Sequence, residues 1–375
     1  MGLYQAIGGT ALCRQLSGAF YARVEKDPVL RPLFPGKTFK CAIEEFAAFL
    51  AQLFGGPVED AQRRWWLSLR ESHLRFKIGP KERDAWMKNM IQALRDVPLE
   101  EEVRVALRDF FERSSAYVVN VGEVACSSNA PTGEIHQEMS RRWSAQRTLD
   151  EAVAAVHSGS AHQAIVLAEG SILQAYFNGN RSVFAALLAA MIAQGEVAIL
   201  DYVRAKLQAN PVIARERYSG RTLLHGAAAA GDLATLELLL RLGADPNVTT
   251  DGGHTPLYCV GNECSGPGGA SVVRALVQEG ARVDACDGVK HGTALHMAAR
   301  RGNTDVAEAL LDCGAAIEAR DSLGDTPLRR AVNCNKTEVA ALLLSRDSDA
   351  HSMGSKGLTP TSAARTAAMK RVFIY

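Results

Sequence analysis

Apolar residues recur at three- and four-residue spacing over most of the chain, the period of helices that bury one face. In the first 120 residues this pattern predicts helices over roughly 10–26, 40–53, 81–95 and 99–118. Between them lie the breaks Pro28 to Pro35, Gly55-Gly56-Pro57 and Gly79-Pro80. Aromatic residues gather beside these breaks, at Tyr21, Phe34, Phe46, Trp65, Trp66, Phe76 and Trp86. The region reads as a small helical bundle with an aromatic interior and a single histidine, His73, in a loop-to-helix stretch. Helical spacing resumes from 147 to 212 through Leu149, Ala152, Val153 and Val156, then Phe184, Leu187, Leu188 and Met191, then Ile199, Leu200 and Val203. The predicted fold class is all-α.

A repeating frame, Gly-x-Thr-(Pro)-Leu, occupies the C-terminal half. Its threonines stand at Thr222, Thr255, Thr293, Thr326 and Thr359, spaced 33, 38, 33 and 33 residues apart. The long interval carries a Gly-rich insertion from Gly261 to Gly269, expected to be a recognition loop or tolerated length. A 33-residue period resembles the ankyrin repeat, a helical solenoid in which each unit buries its apolar face only against its neighbours. Each part of the frame has a physical reason. Thr caps the first helix, Pro occupies its first turn, and Gly231 and Gly302 turn the chain into the second helix. Gly243, Gly280 and Gly314 then end that helix with positive φ. The expected organisation is repeats at 220–252, 253–290, 291–323 and 324–356, a C-terminal cap at 357–375 and degenerate units from 147 to about 219. A linker is expected over 123–146, turn-rich through Cys126 to Gly133, with a connecting helix from Ile135 to Ala145.

Composition narrows the possibilities. The 42 basic and 41 acidic residues leave a formal charge of +1, which argues against generic nucleic-acid binding. The longest apolar run, Phe184 to Ala193, is about half the roughly 20 residues a bilayer crossing needs. With no signal at the N-terminus, a cytoplasmic location is expected. The eight cysteines, Cys13, Cys41, Cys126, Cys259, Cys264, Cys286, Cys313 and Cys334, form no Cys-x-x-Cys pair and read as reduced, buried apolar residues. His225 and His296, in the repeat frame, are expected to bond to backbone.

The residues before 122 carry an ordered set of motifs. These are Gly8-Gly9, then Phe20-Tyr21 followed by Asp27-Pro28 and Leu33-Phe34-Pro35, then Phe49-Leu50 with Phe54-Gly55-Gly56-Pro57, then His73-x-x-Phe76-x-Ile78-Gly79 and Asp84-Ala85-Trp86. In this order they resemble the group II truncated haemoglobins, over essentially residues 2 to 120. That resemblance implies a two-over-two helical globin, placed at 1–122, around haem b. It implies His73 as the proximal iron ligand, with the Leu69 carbonyl as the acceptor for its Nδ1–H. Tyr21 and Trp86 become distal donors to a diatomic ligand, Phe34 stacks on the macrocycle, Phe76 is a further haem-binding residue, and Phe46 walls the pocket. Ala42 stands where many globins keep a distal histidine, which leaves an open entry. The stretch Trp65-Trp66-Leu67-Ser68-Leu69-Arg70-Glu71-Ser72 departs from the family's common His-Pro-rich sequence. Arg70, Arg75 and Lys77 are therefore carried as the candidate cations for the haem propionates.

The expected function is a haem protein that binds dioxygen or another diatomic gas, joined to ankyrin repeats that engage an unidentified protein partner, an arrangement suited to a gas or redox sensor. Two other readings stand beside it: a haem enzyme with peroxidase or nitric-oxide dioxygenase activity supplied by an external reductant, and a haem-free ankyrin scaffold.

Overall fold

The computed structural model describes residues 3–34, 36, 38–57, 68–123 and 133–374. Among them, helix ends follow local chemistry. A short helix α1 (Leu3–Ala6) precedes α2 (Gly9–Val24), which starts after Gly8 at φ +89°. Helix α3 (Lys40–Phe54) stops at Gly55, whose φ of +82° favours glycine and whose N–H donates back to the Gln52 carbonyl. A single-turn helix, α4 (Leu69–His73), is capped by Ser68. Pro80 opens α5 (Pro80–Asp96), where the Glu82 side chain accepts from the Gly79 N–H, and α6 (Glu101–Tyr117) follows.

Helix α2 packs on α3 and on α5, and α5 on α6. Ring contacts from Phe46 to Phe111 (6.2 Å) and from Phe54 to Phe110 (6.3 Å) close the fourth side between α3 and α6, so the four helices enclose one core. The core between them is aromatic and aliphatic, built on the fully buried Phe20, Leu50, Phe54, Met90, Leu107, Phe110 and Phe111.

The chain divides into two units, 1–187 and 188–375. The first unit does not end with the globin-like helices. Helix α7 (Glu134–His157) runs unbroken through residue 146, where the sequence pattern puts the end of a linker, and its Met139 and Trp143 belong to the same core as Phe110 and Phe54. The Trp143 ring meets Phe110 at 5.6 Å and Tyr117 at 5.5 Å, edge to face. Arg142 donates to the Leu53 carbonyl at the end of α3 (3.2 Å). A Cβ on Gly55 would meet that guanidinium at 2.8 Å, so the glycine serves both the turn and this docking. Helices α8 (Ala161–Glu169) and α9 (Ser171–Gly179) then pack back on α7.

The second unit is a stack of helix pairs: 223–230 with 233–241, 256–263 with 269–278, 294–301 with 304–312, and 327–333 with 337–345, ending in the short helices 360–363 and 367–371. Thr255, Thr293, Thr326 and Thr359 each accept a bond from the N–H three residues on. The Gly-rich insertion is only in part a loop. Gly261 lies in the 256–263 helix against the 294–301 helix, where an added Cβ would come within 2.4 Å of the Ala294 carbonyl oxygen. Its glycine therefore serves helix packing, and the true loop is 264–268. Among the described cysteines, Cys13, Cys259 and Cys264 are buried, but Cys41, Cys286 and Cys334 are exposed, which corrects the reading of all of them as core residues. No helix among the described residues is long and apolar enough to cross a membrane.

The repeat histidines link neighbouring units. His225 Nδ1 accepts from the Thr222 N–H (3.2 Å) and its Nε2 donates to the His254 carbonyl (3.1 Å); His296 repeats this with Thr293 and the Asp325 carbonyl. Burial pushes the His225 imidazole down to about 4 and lowers His296 as well. The unfolded chain takes up a proton near pH 6.5 and the folded repeats resist it, so more protons are bound in the unfolded state below that pH. The repeats should keep full stability above pH 6.5 and lose it progressively toward pH 4. Melting temperatures taken across this range, with His225→Gln flattening the curve, test the prediction.

Candidate functional site

Rings from five helices and the loops between them meet in the first unit. From the proximal side, His73 lies 6.4 Å from Phe76, Phe76 6.0 Å from Phe34, and Phe34 5.7 Å from Tyr21. Tyr21 then leads to Phe46 (6.4 Å), Phe46 to Phe111, Phe111 to Trp86 (5.6 Å), and Trp86 to Phe20 (5.1 Å). Phe20 and Phe111 are sealed in the core, whereas Tyr21, Phe34, Ala42, Phe46, His73, Phe76 and Trp86 all retain partial exposure. These partly exposed side chains and the sealed rings behind them form one continuous cluster.

The titratable groups behave as desolvated. Burial raises the Tyr21 phenol far above its ordinary value; Glu45 raises it further and Arg75 opposes. Burial lowers the His73 imidazole, opposed by its bond to Leu69 and assisted by Arg75. Tyr21 is therefore a protonated donor and His73 a neutral imidazole at physiological pH. His73 Nδ1 donates to the Leu69 carbonyl at 2.7 Å, which leaves Nε2 as the basic nitrogen. The Tyr21 hydroxyl and the Trp86 indole N–H have no hydrogen-bond partner among the described residues, and both side chains keep partial exposure.

These features meet the demands of a flat, largely apolar macrocycle with a metal at its centre. The surroundings are aromatic, one side offers a neutral imidazole whose other nitrogen is already engaged, and Tyr21 and Trp86 on other elements carry O–H and N–H donors.

The candidate cations separate. Arg75 lies over the Phe76 ring at 4.7 Å and is close enough to influence both Tyr21 and His73. Lys77 is exposed. Arg70 instead turns to the face of Tyr117, 5.5 Å away, where α6 and α7 meet, and among the described residues makes no ring contact with the His73–Phe76–Phe34–Tyr21 series. Trp65 and Trp66 lie outside the described residues. Three contributors had not been singled out from the sequence. Phe39 stacks on Tyr21 at 5.3 Å. Asn120 holds the carbonyls of His73 (3.3 Å) and Phe76 (2.8 Å) and accepts from the Ile78 N–H. Asp150 accepts from the N–H groups of Leu69 and Arg70. The position of Phe39 in an aromatic-rich stretch was a usable signal; Asn120 and Asp150 offered none.

Residues 2–120 match the bacterial-like globin family, residues 219–251 an ankyrin repeat, and residues 262–353 a run of ankyrin repeats. The group 2 truncated hemoglobin YjbI of Bacillus subtilis is 37% identical over 120 residues, which are 32% of this chain and 89% of that protein. In the repeats the chain is 35% identical to the human ankyrin repeat and SOCS box protein 16, over 38% of this chain and 33% of that protein. It is 32% identical to the human SH3 and multiple ankyrin repeat domains protein 2, over 39% of this chain but 8% of that protein. The chain thus spans a third or less of these two ankyrin proteins, whereas it covers nearly all of the bacterial globin. By its first 120 residues it belongs to the group 2 truncated haemoglobins, and it carries ankyrin repeats beyond them.

Proposed function

We propose that the chain binds haem b between its globin helices, with His73 Nε2 as the axial ligand, and takes up a diatomic gas, dioxygen foremost. The observation that carries this reading is the 2.7 Å bond from His73 Nδ1 to the Leu69 carbonyl, beside the aromatic series that runs from Phe76 through Phe34 to Tyr21. Haem supplies the reversible affinity for the gas; the residues supply its setting. The phenol O–H of Tyr21 and the indole N–H of Trp86 donate toward a ligand that gains negative charge. Phe34 and Phe76 pack on the macrocycle, Phe46 excludes water, and Ala42 leaves an entry. Arg75 and Lys77 are the cations proposed for the propionates. The ankyrin repeats are proposed as the surface for a protein partner, and the exposed thiols of Cys41, Cys286 and Cys334 suit a reducing, cytoplasmic setting.

Absorption spectra of the purified chain with haem, in ferric, ferrous and carbon-monoxide forms, test the reading directly. Distinct Soret bands for the three forms are expected; a spectrum of free haem would end it. Tyr21→Phe and Trp86→Phe should each cost the bound ligand about 1 kcal/mol or more, seen as roughly fivefold or greater acceleration of dioxygen release by stopped flow. Unchanged release in both variants would remove them as donors.

A further inference from the structure

The helix that carries His73 is one turn long. A helix of five residues has no intrinsic stability in water, and its first N–H groups lack partners of their own. Here an acid from far along the chain completes it. Asp150 on α7 accepts from the Leu69 N–H with Oδ1 (3.0 Å) and from the Arg70 N–H with Oδ2 (3.1 Å), while Ser68 Oγ takes the Glu71 N–H (3.1 Å). The carboxylate is 3% exposed and receives the Gln146 amide at 2.7 Å. A negative charge at the amino end of a helix is favoured by the peptide dipoles as well as by the bonds themselves. A second contact, His157 to Glu71 at 2.9 Å, ties the end of α7 to the same turn.

Leu69 connects the carboxylate to the imidazole. Its N–H points to Asp150 and its carbonyl accepts from both His73 Nδ1 and Ser72 Oγ, each at 2.7 Å. A shift of Asp150 would therefore move the peptide that orients the imidazole. Asp150 itself is not loosely held, because α7 is fixed to the globin helices along its length. His136 meets Asp109 at 2.7 Å, Arg113 donates to Ser140 at 2.9 Å, and the Arg142 and Trp143 contacts follow. All of α7 lies beyond residues 2–120, in the segment that leads toward the repeats.

We infer that Asp150 is a positioning residue for His73: the helix following the globin caps the proximal turn and sets the angle at which the imidazole faces the haem. The inference rests on the haem reading for its consequence, but its structural half is testable without haem. In the full-length apoprotein, Asp150→Ala should accelerate amide hydrogen exchange over residues 68–74 by about tenfold or more, with peptides from α6 unaffected. Asp150→Asn, which keeps the shape and one acceptor, should give a smaller effect in the same segment and covers the case in which the alanine variant does not fold. In the haem-loaded ferrous protein, both variants should retain a Soret band but shift or broaden the iron–histidine stretching band in resonance Raman spectra. Unchanged exchange in the variants overturns the inference, as does faster exchange with an unaltered iron–histidine band, which would leave Asp150 with a structural role alone. A wild-type chain that takes up no haem would fail the parent reading instead, and the exchange result would still report whether Asp150 holds the His73 turn.

Discussion

His73→Ala is expected to abolish the axial bond to haem, displacing the Soret band of the reconstituted chain and lowering haem affinity by more than the ~10–100-fold that loss of an outer partner of a metal-bound histidine costs. The fold should survive. His73 is partly exposed and outside the packed core, and the far-ultraviolet circular dichroism of the apoprotein should match wild type. Added imidazole provides the decisive control, because the alanine leaves room for it. Restoration of the wild-type band by millimolar imidazole would show that the defect is the missing ligand, not a collapsed site. A variant with a wild-type spectrum would mean that another group ligates the iron, and the arrangement around Leu69 would need another explanation.

Local signals in the sequence made the main helices visible. Gly8, Gly55 and Pro80 bracket segments with unbroken three-to-four spacing, and the resulting helices Gly9–Val24, Lys40–Phe54, Pro80–Asp96 and Glu101–Tyr117 lie within a few residues of the pattern. The repeat frame was equally legible, because Thr255, Thr293 and Thr326 do the same capping job at each step. What escaped depends on distant parts of the chain. The turn Leu69–His73 is too short to show a helical period, and besides its local Ser68 cap it draws on Asp150, 81 residues from Leu69. The orientation of Arg70 was hidden for a related reason: Tyr117 and α7 offer it a face that its sequence neighbourhood does not reveal. Helical pattern was read on both sides of residue 146, but that the two stretches are one helix, α7, packed on the globin core was obscured because its buried stripe is chemically mixed. His136, Gln146 and Asp150 alternate with Met139, Trp143 and Leu149 on the inward side, so the apolar period weakens just where the helix is most engaged.

That mixed stripe leads to a large expected effect on stability. Trp143 is 5% exposed and stands edge-on between Phe110 and Tyr117, so Trp143→Ala removes a large buried side chain from a site whose neighbours are themselves fixed. The expected loss is about 3–5 kcal/mol in the unfolding of the first unit, read from denaturant titrations of the apoprotein. The edge-to-face pairs account for about 0.5–1.5 kcal/mol each of such a loss and the vacated volume for the rest. A chain ending at residue 122 should be weakened further than Trp143→Ala, because it also loses Met139, the Arg142 bond to Leu53 and the Asp150 cap. A chain ending after His157 should recover most of that difference. If instead Trp143→Ala changed stability by less than about 1 kcal/mol, the core would be complete without α7 and the globin would end where its sequence pattern does. The physical case for the later border is that Phe110 and Tyr117 present their rings to α7, and no other described aromatic residue covers the outer side of both.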